Sequence, residues 1–240
     1  MLELGQRRHP LSEKAAAFRH GTWLDLFRTI SDGSYSSEYA LGETIPLSLS
    51  NGETCQMQIV AFDKDTDYDR SEIVPVTLLS IDLLAQQRRF NPAYVEGIIG
   101  TGVAGGWPAC ELRAWMQDTL WQMIPEDVAG RIHTVKKYSF IKNPDESAAN
   151  NVVSADRLWI PSLREMWNSL ETMGPSYAAL FKTAEERLKK RRNETNGLTY
   201  SLRSASDKMS QHYRITYNGG LIAGTASNPA GVCFGFCVGN

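Results

Sequence analysis

Residues 231–238 constrain the fold most strongly, because an extended chain with this sequence has no strongly polar side chain on either face. One face would carry large apolar side chains, namely Val232, Phe234, Phe236 and Val238. The opposite face would carry small residues, namely Cys233, Gly235 and Cys237. A strand without a polar face is covered on both sides, so we predict that this segment lies inside the core.

Two further strands are predicted before this segment, at residues 200–206 and 212–217. A turn at residues 218–220 follows them, since Asn-Gly-Gly tolerates the positive φ angles of tight turns. The two strands combine Tyr with Arg, Ser and Asn, which is a composition typical of binding surfaces. We therefore predict an exposed ligand-binding surface, termed the binding wall, which consists of Tyr200, Arg203, Ser206, Asp207, His212, Tyr213, Arg214, Tyr217 and Asn218.

A structural interpretation of the binding wall is the alternative. Arg203 and Arg214 would then form salt bridges with carboxylates beneath a loop, and the alternating aromatic side chains would only cover the sheet. For any one of these residues the sequence leaves both interpretations open.

The rest of the chain predicts an α+β fold with antiparallel strands and flanking helices. Residues 1–21 are polar and basic and are predicted to form an N-terminal tail, whereas residues 22–240 are predicted to form a single domain. Strands are predicted at residues 45–49, 55–62, 73–81 and 133–141. Helices are predicted at residues 23–32, 110–123, 126–131, 164–170 and 177–192. We expect strands from the two ends of the domain to lie side by side.

Three segments carry a resemblance to a known family. Residues 105–115 fit the pattern GGWxxCxLRxW, residues 156–165 fit DxxWIPSxxE, and the end of the chain fits LRS followed by GVCFGFC. The chain resembles, over residues 22–238, a domain-of-unknown-function family that is common in Gram-positive bacteria and their prophages. Its ending is also similar, more distantly, to C-type-lectin-like domains of formylglycine-generating enzymes and of diversity-generating retroelement variable proteins, which have Arg where Cys237 stands. The resemblance implies a C-type-lectin-like fold.

Charge and cysteine usage exclude several classes of partner. The formal net charge of -2 and the isoelectric point near 6.1 give no electrostatic reason to expect nucleic acid or an anionic membrane. No apolar stretch approaches the roughly 18 residues of a membrane span, and the first residues lack the apolar core of a secretory signal. We therefore expect synthesis in the bacterial cytoplasm without membrane insertion. The four cysteines lack metal-ligand spacing, so buried free thiols are expected.

One acidic run has the spacing of cation ligands, and it comprises Asp63, Asp65, Asp67 and Asp69. This is the spacing that begins a calcium-binding EF-hand loop. However, Tyr68 replaces the required glycine and Val74 replaces the bidentate glutamate, so a solvated turn is favoured over a bound cation. The sequence also lacks a nucleophile elbow and a phosphate-binding loop, so we expect no cofactor and no catalytic residues.

The resemblance and the predicted binding wall together favour a non-catalytic adhesin on the surface of a phage or phage-like particle. Its partners would be a host cell-surface protein or glycan, and other particle proteins bound through the N-terminal tail. One alternative is a structural decoration or tail-assembly protein that forms homo-oligomers. The other is a metal-dependent enzyme of the sulfatase-modifying type, whose chemistry would require paired cysteines such as Cys233 and Cys237.

Overall fold

The computed structural model describes residues 21–142, 151–167 and 171–240. The predicted tail, except Gly21, lies outside the described residues. The same holds for residues 143–150 and for the last three residues of the helix predicted at 164–170.

The α-helices of the described residues are short, and the longest of them, α1, has ten residues. The α-helices are α1 (Trp23–Asp32), α2 (Tyr35–Glu38), α3 (Glu111–Trp115), α4 (Glu126–Ala129), α5 (Leu163–Trp167) and α6 (Ala184–Arg187). A π-helical segment, Met116–Leu120, and a 3-10 turn, Trp121–Met123, continue α3, so the helical segment predicted at 110–123 is confirmed. Further 3-10 turns lie at Trp107–Ala109 and Ala178–Leu180. In the described part of the chain, no helix has the length and apolar character needed to cross a membrane.

The strands confirm an α+β fold that is dominated by antiparallel pairing. They are β1 (Thr44–Ser48), β2 (Thr54–Thr66), β3 (Ile73–Ser80), β4 (Asp82–Leu83), β5 (Ile132–His133), β6 (Val135–Phe140), β7 (Asn151–Asp156), β8 (Lys190–Arg191), β9 (Tyr200–Ala205), β10 (Gln211–Ile215), β11 (Leu221–Thr225) and β12 (Gly235–Val238). The largest sheet has the order β1-β2-β3-β12-β5, and a second sheet has the order β11-β10-β9. β6 pairs with β7, and the two-residue strands β4 and β8 pair in parallel.

The strand β12 lies inside the largest sheet, between β3 and β5, and is antiparallel to both. Every residue from Val232 to Val238 is buried, which confirms the predicted position in the core, but only Gly235–Val238 form the strand. A strand from the C-terminal end thus lies beside one from the N-terminal half, as expected. Gly235 is required at its position, because a Cβ atom there would lie 2.6 Å from the Trp159 ring and 2.7 Å from the Leu78 carbonyl oxygen.

Two of the sequence motifs meet at one buried carboxylate. The Trp107 indole donates a hydrogen bond to Asp156 Oδ2 at 2.9 Å, and Arg113 Nε contacts Asp156 Oδ1 at 2.5 Å. Ser154 donates to Asp156 Oδ2 at 2.5 Å. Because a buried carboxylate without partners is costly, these bonds give the motif residues a structural role that joins the helical segment to β7.

The prediction of one continuous helix at residues 177–192 is wrong, since only Ala178–Leu180 and Ala184–Arg187 are helical. Thr183 begins α6 with a capping box to Glu186, and the chain becomes extended at Leu188. The cations on either side of Leu188 turn inward, since Arg187 donates to the Phe181 carbonyl oxygen at 2.6 Å and Lys189 to the Ser80 carbonyl oxygen at 2.6 Å. A regular helix would leave both of these buried bonds unmade, so tertiary contacts override helix propensity here.

Candidate ligand-binding site

Most of the predicted binding wall is not a surface. Five of its nine members are buried, namely Tyr200, Arg203, Ser206, His212 and Arg214. The physical reason is that all six residues of β9 are buried, and that His212 and Arg214 occupy the inward-facing positions of β10. Both edges of β9 are also hydrogen-bonded. β10 pairs with one edge, and on the other Arg203 N donates to the Pro161 carbonyl oxygen and Ser201 N to the Gly231 carbonyl oxygen. The prediction of an exposed wall is therefore wrong for these five residues.

Arg203 has the structural role that the alternative interpretation gave it. Its guanidinium contacts both carboxylate oxygens of Glu165, at 2.6 and 2.7 Å, and donates to the carbonyl oxygens of Ile160 and Tyr138. Burial raises the pKa of the Glu165 carboxyl, but Arg203 and Lys137 outweigh burial and hold the pKa at about 2. The pair is therefore ionised at neutral pH and fixes β9 against α5.

Arg214 and His212 also bind within the protein. Arg214 donates to the carbonyl oxygens of Thr225 and Asn228, each at 2.6 Å. Its side chain passes over Gly224, where an added Cβ would lie 2.6 Å from Arg214 Cδ. His212 Nε2 lies 3.0 Å from Ser201 Oγ, and its ring stacks on Phe90 with centroids 4.6 Å apart. Arg214 therefore links β10 to the end of β11 and to the residues that follow it.

Two members of the binding wall line a cleft of about 240 Å³. Asp207 is exposed and Tyr213 is partly exposed. The other residues that line the cleft come from β6 and the residues after it, from the α5 region and from β9, namely Phe140, Lys142, Leu163, Glu171, Ser204 and Ala205. Tyr217, with 65% of its surface exposed, and Asn218 lie in the turn after β10 and are not among the residues that line this cleft.

The wall of the cleft is held in place by hydrogen bonds that do not involve a ligand. Glu171 accepts from Phe140 N at 3.2 Å and from Arg164 N at 3.0 Å, so its carboxylate ties β6 to α5. Ser204 Oγ accepts from Leu163 N at 2.8 Å. The apolar lining thus lies between a cation, Lys142, and two carboxylates. This arrangement suits a small ligand group that has an apolar face and polar edges.

The acidic run is not a solvated turn at its centre. The side chains of Asp65 and Asp67 are buried. Asp65 lies at an inward-facing position of β2, and Asp67 follows β2 and forms a bridge with Val135. Asp65 Oδ1 lies 2.6 Å from Lys137 Nζ, and Asp67 Oδ2 lies 2.8 Å from His133 Nδ1. Asp63 accepts from the Tyr35 hydroxyl at 2.6 Å. Among the described residues no three His, Cys, Asp or Glu side chains are grouped so that they could hold a metal ion.

Six lining residues of the cleft were not predicted as site residues. Two of them, Ser204 and Ala205, lie in β9, and the other four are Phe140, Lys142, Leu163 and Glu171. No local pattern marks these four, because they belong to segments that precede β9 by tens of residues. Asp207 and Tyr213 were found only because they lie in a polar and aromatic hairpin.

The fold and cleft define an α+β domain whose antiparallel sheet includes its own C-terminal strand. The chain belongs to the family described as Domain of unknown function (DUF6273), whose sequence profile matches residues 76–239. That span includes both motifs that meet at Asp156, the strand β12 and every residue that lines the cleft. Comparison with curated proteins and with solved structures finds no match.

Proposed function

We propose that the domain is a non-catalytic binding module that takes its ligand in the cleft beside Tyr213. The observation that carries this proposal is the convergence of Tyr213 and Asp207 with Lys142 and Glu171 around one concave, partly apolar space. Buried bonds of Arg203, Arg214 and Glu171 fix the surrounding backbone before any ligand arrives. Such preorganisation lowers the entropic cost of binding.

The ligand would be one group of a host cell-surface glycan or protein. Pockets for drug-sized ligands have volumes of about 300–1,000 Å³, whereas this cleft has about 240 Å³. One sugar ring or one side chain of a larger ligand therefore fits its size. The Tyr213 and Phe140 rings would cover the apolar face, and Lys142, Asp207 and Glu171 would bind the polar edges.

The proposed cellular setting is the surface of a phage or phage-like particle, on a C-type-lectin-like domain. It rests on the resemblance of the three motif segments to a family that is common in Gram-positive bacteria and their prophages, and on the more distant similarity of the chain's ending to C-type-lectin-like domains. In this setting the N-terminal tail would attach the domain to other particle proteins.

Substitution of Tyr213, which is partly exposed, tests this function, and substitution of Tyr217 is the control. We expect Tyr213→Ala to weaken binding of the purified chain to intact host cells by about tenfold or more, because an aromatic contact in the cleft is lost. Tyr217→Ala removes a more exposed tyrosine outside the cleft and should leave binding unchanged. Binding is measured by titration with fluorescently labelled protein. Equal binding by wild type and Tyr213→Ala would exclude the cleft as the site.

A structural particle protein is the second candidate, and a specific observation favours it. The loop before α3 exposes three aliphatic side chains, Val95, Ile98 and Ile99. Clustered exposed apolar side chains are typical of protein contacts. An enzyme with paired cysteines has no such support, since Cys233 and Cys237 are buried with their thiols near Ser80 and Thr77.

A further inference from the structure

The side chain of Lys137 on β6 is fully buried between two carboxylates. Its Nζ atom lies 2.6 Å from Asp65 Oδ1 on β2 and 3.2 Å from Glu165 Oε1 on α5, and all three side chains are at most 1% exposed. Nζ also lies 3.5 Å from the centroid of the Trp159 ring, which covers it. The amine is thus held against a carboxyl group in a site without access to water.

The second oxygen of Asp65 is bound by two hydroxyl donors. Thr77 Oγ1 and the Tyr177 hydroxyl each donate to Asp65 Oδ2 at 2.6 Å. Burial, and then Asp65 itself, raise the pKa of Tyr177 well above its ordinary value, so its hydroxyl keeps its proton. Donors fixed on one carboxyl oxygen polarise the carbon and stabilise negative charge that develops on that oxygen during nucleophilic attack.

Glu165 is committed to a different partner. Arg203 contacts both of its oxygens, at 2.6 and 2.7 Å, which neutralises Glu165 within the core. The charge of Lys137 is therefore balanced mainly by the carboxylate of Asp65. Burial lowers the pKa of Lys137, but Asp65 and Glu165 outweigh burial and raise it, so the two groups begin as an ion pair. A fully buried ion pair carries a large desolvation penalty, which a neutral amide would remove.

We propose that Lys137 and Asp65 condense to form an intramolecular amide cross-link. One proton passes from the ammonium to Asp65 Oδ1, and the neutral amine then attacks Cγ while Oδ2 accepts its two hydrogen bonds. The Nζ–Cγ bond forms and the Cγ–Oδ1 bond breaks. A second Nζ proton passes to the departing oxygen, which lies 2.6 Å from Nζ in the ion pair, so one ammonium and one carboxylate give one amide and one water. No oxidant, metal or cofactor takes part.

Proximity makes this reaction accessible without a separate enzyme. In water the two groups are solvated as ions and collide rarely, whereas fixed reactants in an intramolecular reaction reach effective molarities of about 10⁵–10⁸ M. Exclusion of water also favours the amide, since hydrolysis requires a water molecule at Cγ. The hydroxyls of Thr77 and Tyr177 would keep their hydrogen bonds to Oδ2, which becomes the amide oxygen.

The cross-link would join β2 of the largest sheet to the β6–β7 hairpin. The two residues are 72 positions apart, so a long loop of the unfolded chain would be closed covalently. Cross-links that close long loops restrict the unfolded chain, and the folded state gains stability.

Mass spectrometry of the full chain tests the proposal directly. The folded wild type is measured under denaturing conditions, both fresh and after several days at neutral pH. We expect its mass to fall below the sequence mass by one water molecule. Protease digestion should then yield one branched peptide that contains Asp65 and Lys137. A full sequence mass after the incubation overturns the proposal, and so does a deficit that maps elsewhere, such as a succinimide at Asp32.

Neighbouring residues provide matched controls. Lys136→Arg changes the adjacent lysine, which contacts Ser71 Oγ, and should keep the deficit of one water. Lys137→Arg should have its full mass, and a remaining deficit of one water would overturn the proposal. Asp65→Asn is the second variant, because attack on its amide would release ammonia instead of water. A deficit of one ammonia, mapped to the same branched peptide, supports the proposal even where Lys137→Arg does not fold.

Discussion

At the scale of single residues, His212 is a neutral imidazole enclosed by the core. Phe90 stacks on its ring, Nε2 contacts Ser201, and Arg214 Nε lies 3.4 Å from the same nitrogen. Among the described residues, Nδ1 has no hydrogen-bond partner. Burial, and then the Arg214 charge, lower the pKa of His212 well below its ordinary value. Protonation would place a second cation beside Arg214 in a buried site.

This arrangement predicts a loss of stability in mild acid. The pKa of His212 is lower in the folded than in the unfolded chain, so its contribution is complete above about pH 6.5 and is lost as the pH falls below that value. The free energy of unfolding should fall with a slope of up to about 1.4 kcal/mol per pH unit from this residue alone.

Urea denaturation of the wild type and of His212→Gln between pH 7.5 and pH 5 measures this slope. The wild type should lose more stability on acidification than the variant, whereas an exposed substitution, Tyr217→Phe, should follow the wild type. Parallel curves for wild type and His212→Gln would contradict the prediction.

The partners of the buried charges explain why single residues of the site were hard to predict. Arg203 pairs with Glu165, which lies 38 positions away, and Lys137 pairs with Asp65, which lies 72 positions away. No local pattern distinguishes such a residue from one that faces solvent. The sequence therefore indicated that Arg203 and Arg214 bind a ligand or form salt bridges, but it did not decide whether their side chains are buried.

At the scale of secondary-structure elements, the packing of β12 against the Trp159 loop depends on a missing side chain. Gly235 and Trp159 exchange two backbone hydrogen bonds, at 2.7 and 3.0 Å, while the indole ring covers the glycine. The close approach of the loop and the strand is only possible without a Cβ atom.

We expect Gly235→Ala to destabilise the fold by about 1–3 kcal/mol or more, because the new methyl group overlaps both the indole and the Leu78 carbonyl oxygen. Gly130→Ala is the control, since Gly130 has an ordinary φ of -65° and its nearest obstacle lies at 3.4 Å. The free energy of unfolding of Gly130→Ala should stay within about 1 kcal/mol of the wild-type value. Thermal unfolding measures both. Equal melting temperatures for the two variants would show that the strand and loop adapt.

Local signals predicted the elements whose ends or faces are chemically marked. The Thr22 side chain caps α1 and Gly33 ends it with a φ of 79°, and the apolar alternation of β12 required burial. The helix predicted at residues 177–192 was wrong because Arg187 and Lys189 bind carbonyl oxygens inside the fold instead of water. β11 was missed because its residues are mostly exposed or half-buried and include a glycine that makes room for Arg214.

At the scale of the whole molecule, the exposed loop with Ile98 and Ile99 is a candidate contact between copies of the chain. If it mediates assembly, Ile98→Ser together with Ile99→Ser should weaken self-association by about tenfold or more. Leu24→Ser is the control, because Leu24 is an exposed apolar residue on α1, in another part of the chain. Sedimentation velocity over a range of concentrations measures the effect. A wild type that is monomeric at every concentration removes support for the structural role.

The position of β12 has a consequence for synthesis on the ribosome. β3 and β5 leave the ribosome before β12, which pairs with one edge of each. β12 is translated after all the other strands of the described residues. At about 5–20 residues per second, the nascent chain must keep the β3 edge unpaired for roughly ten to thirty seconds. Exposed edges recruit other strands, so this waiting period is when the newborn polypeptide is most prone to aggregate and most in need of a chaperone.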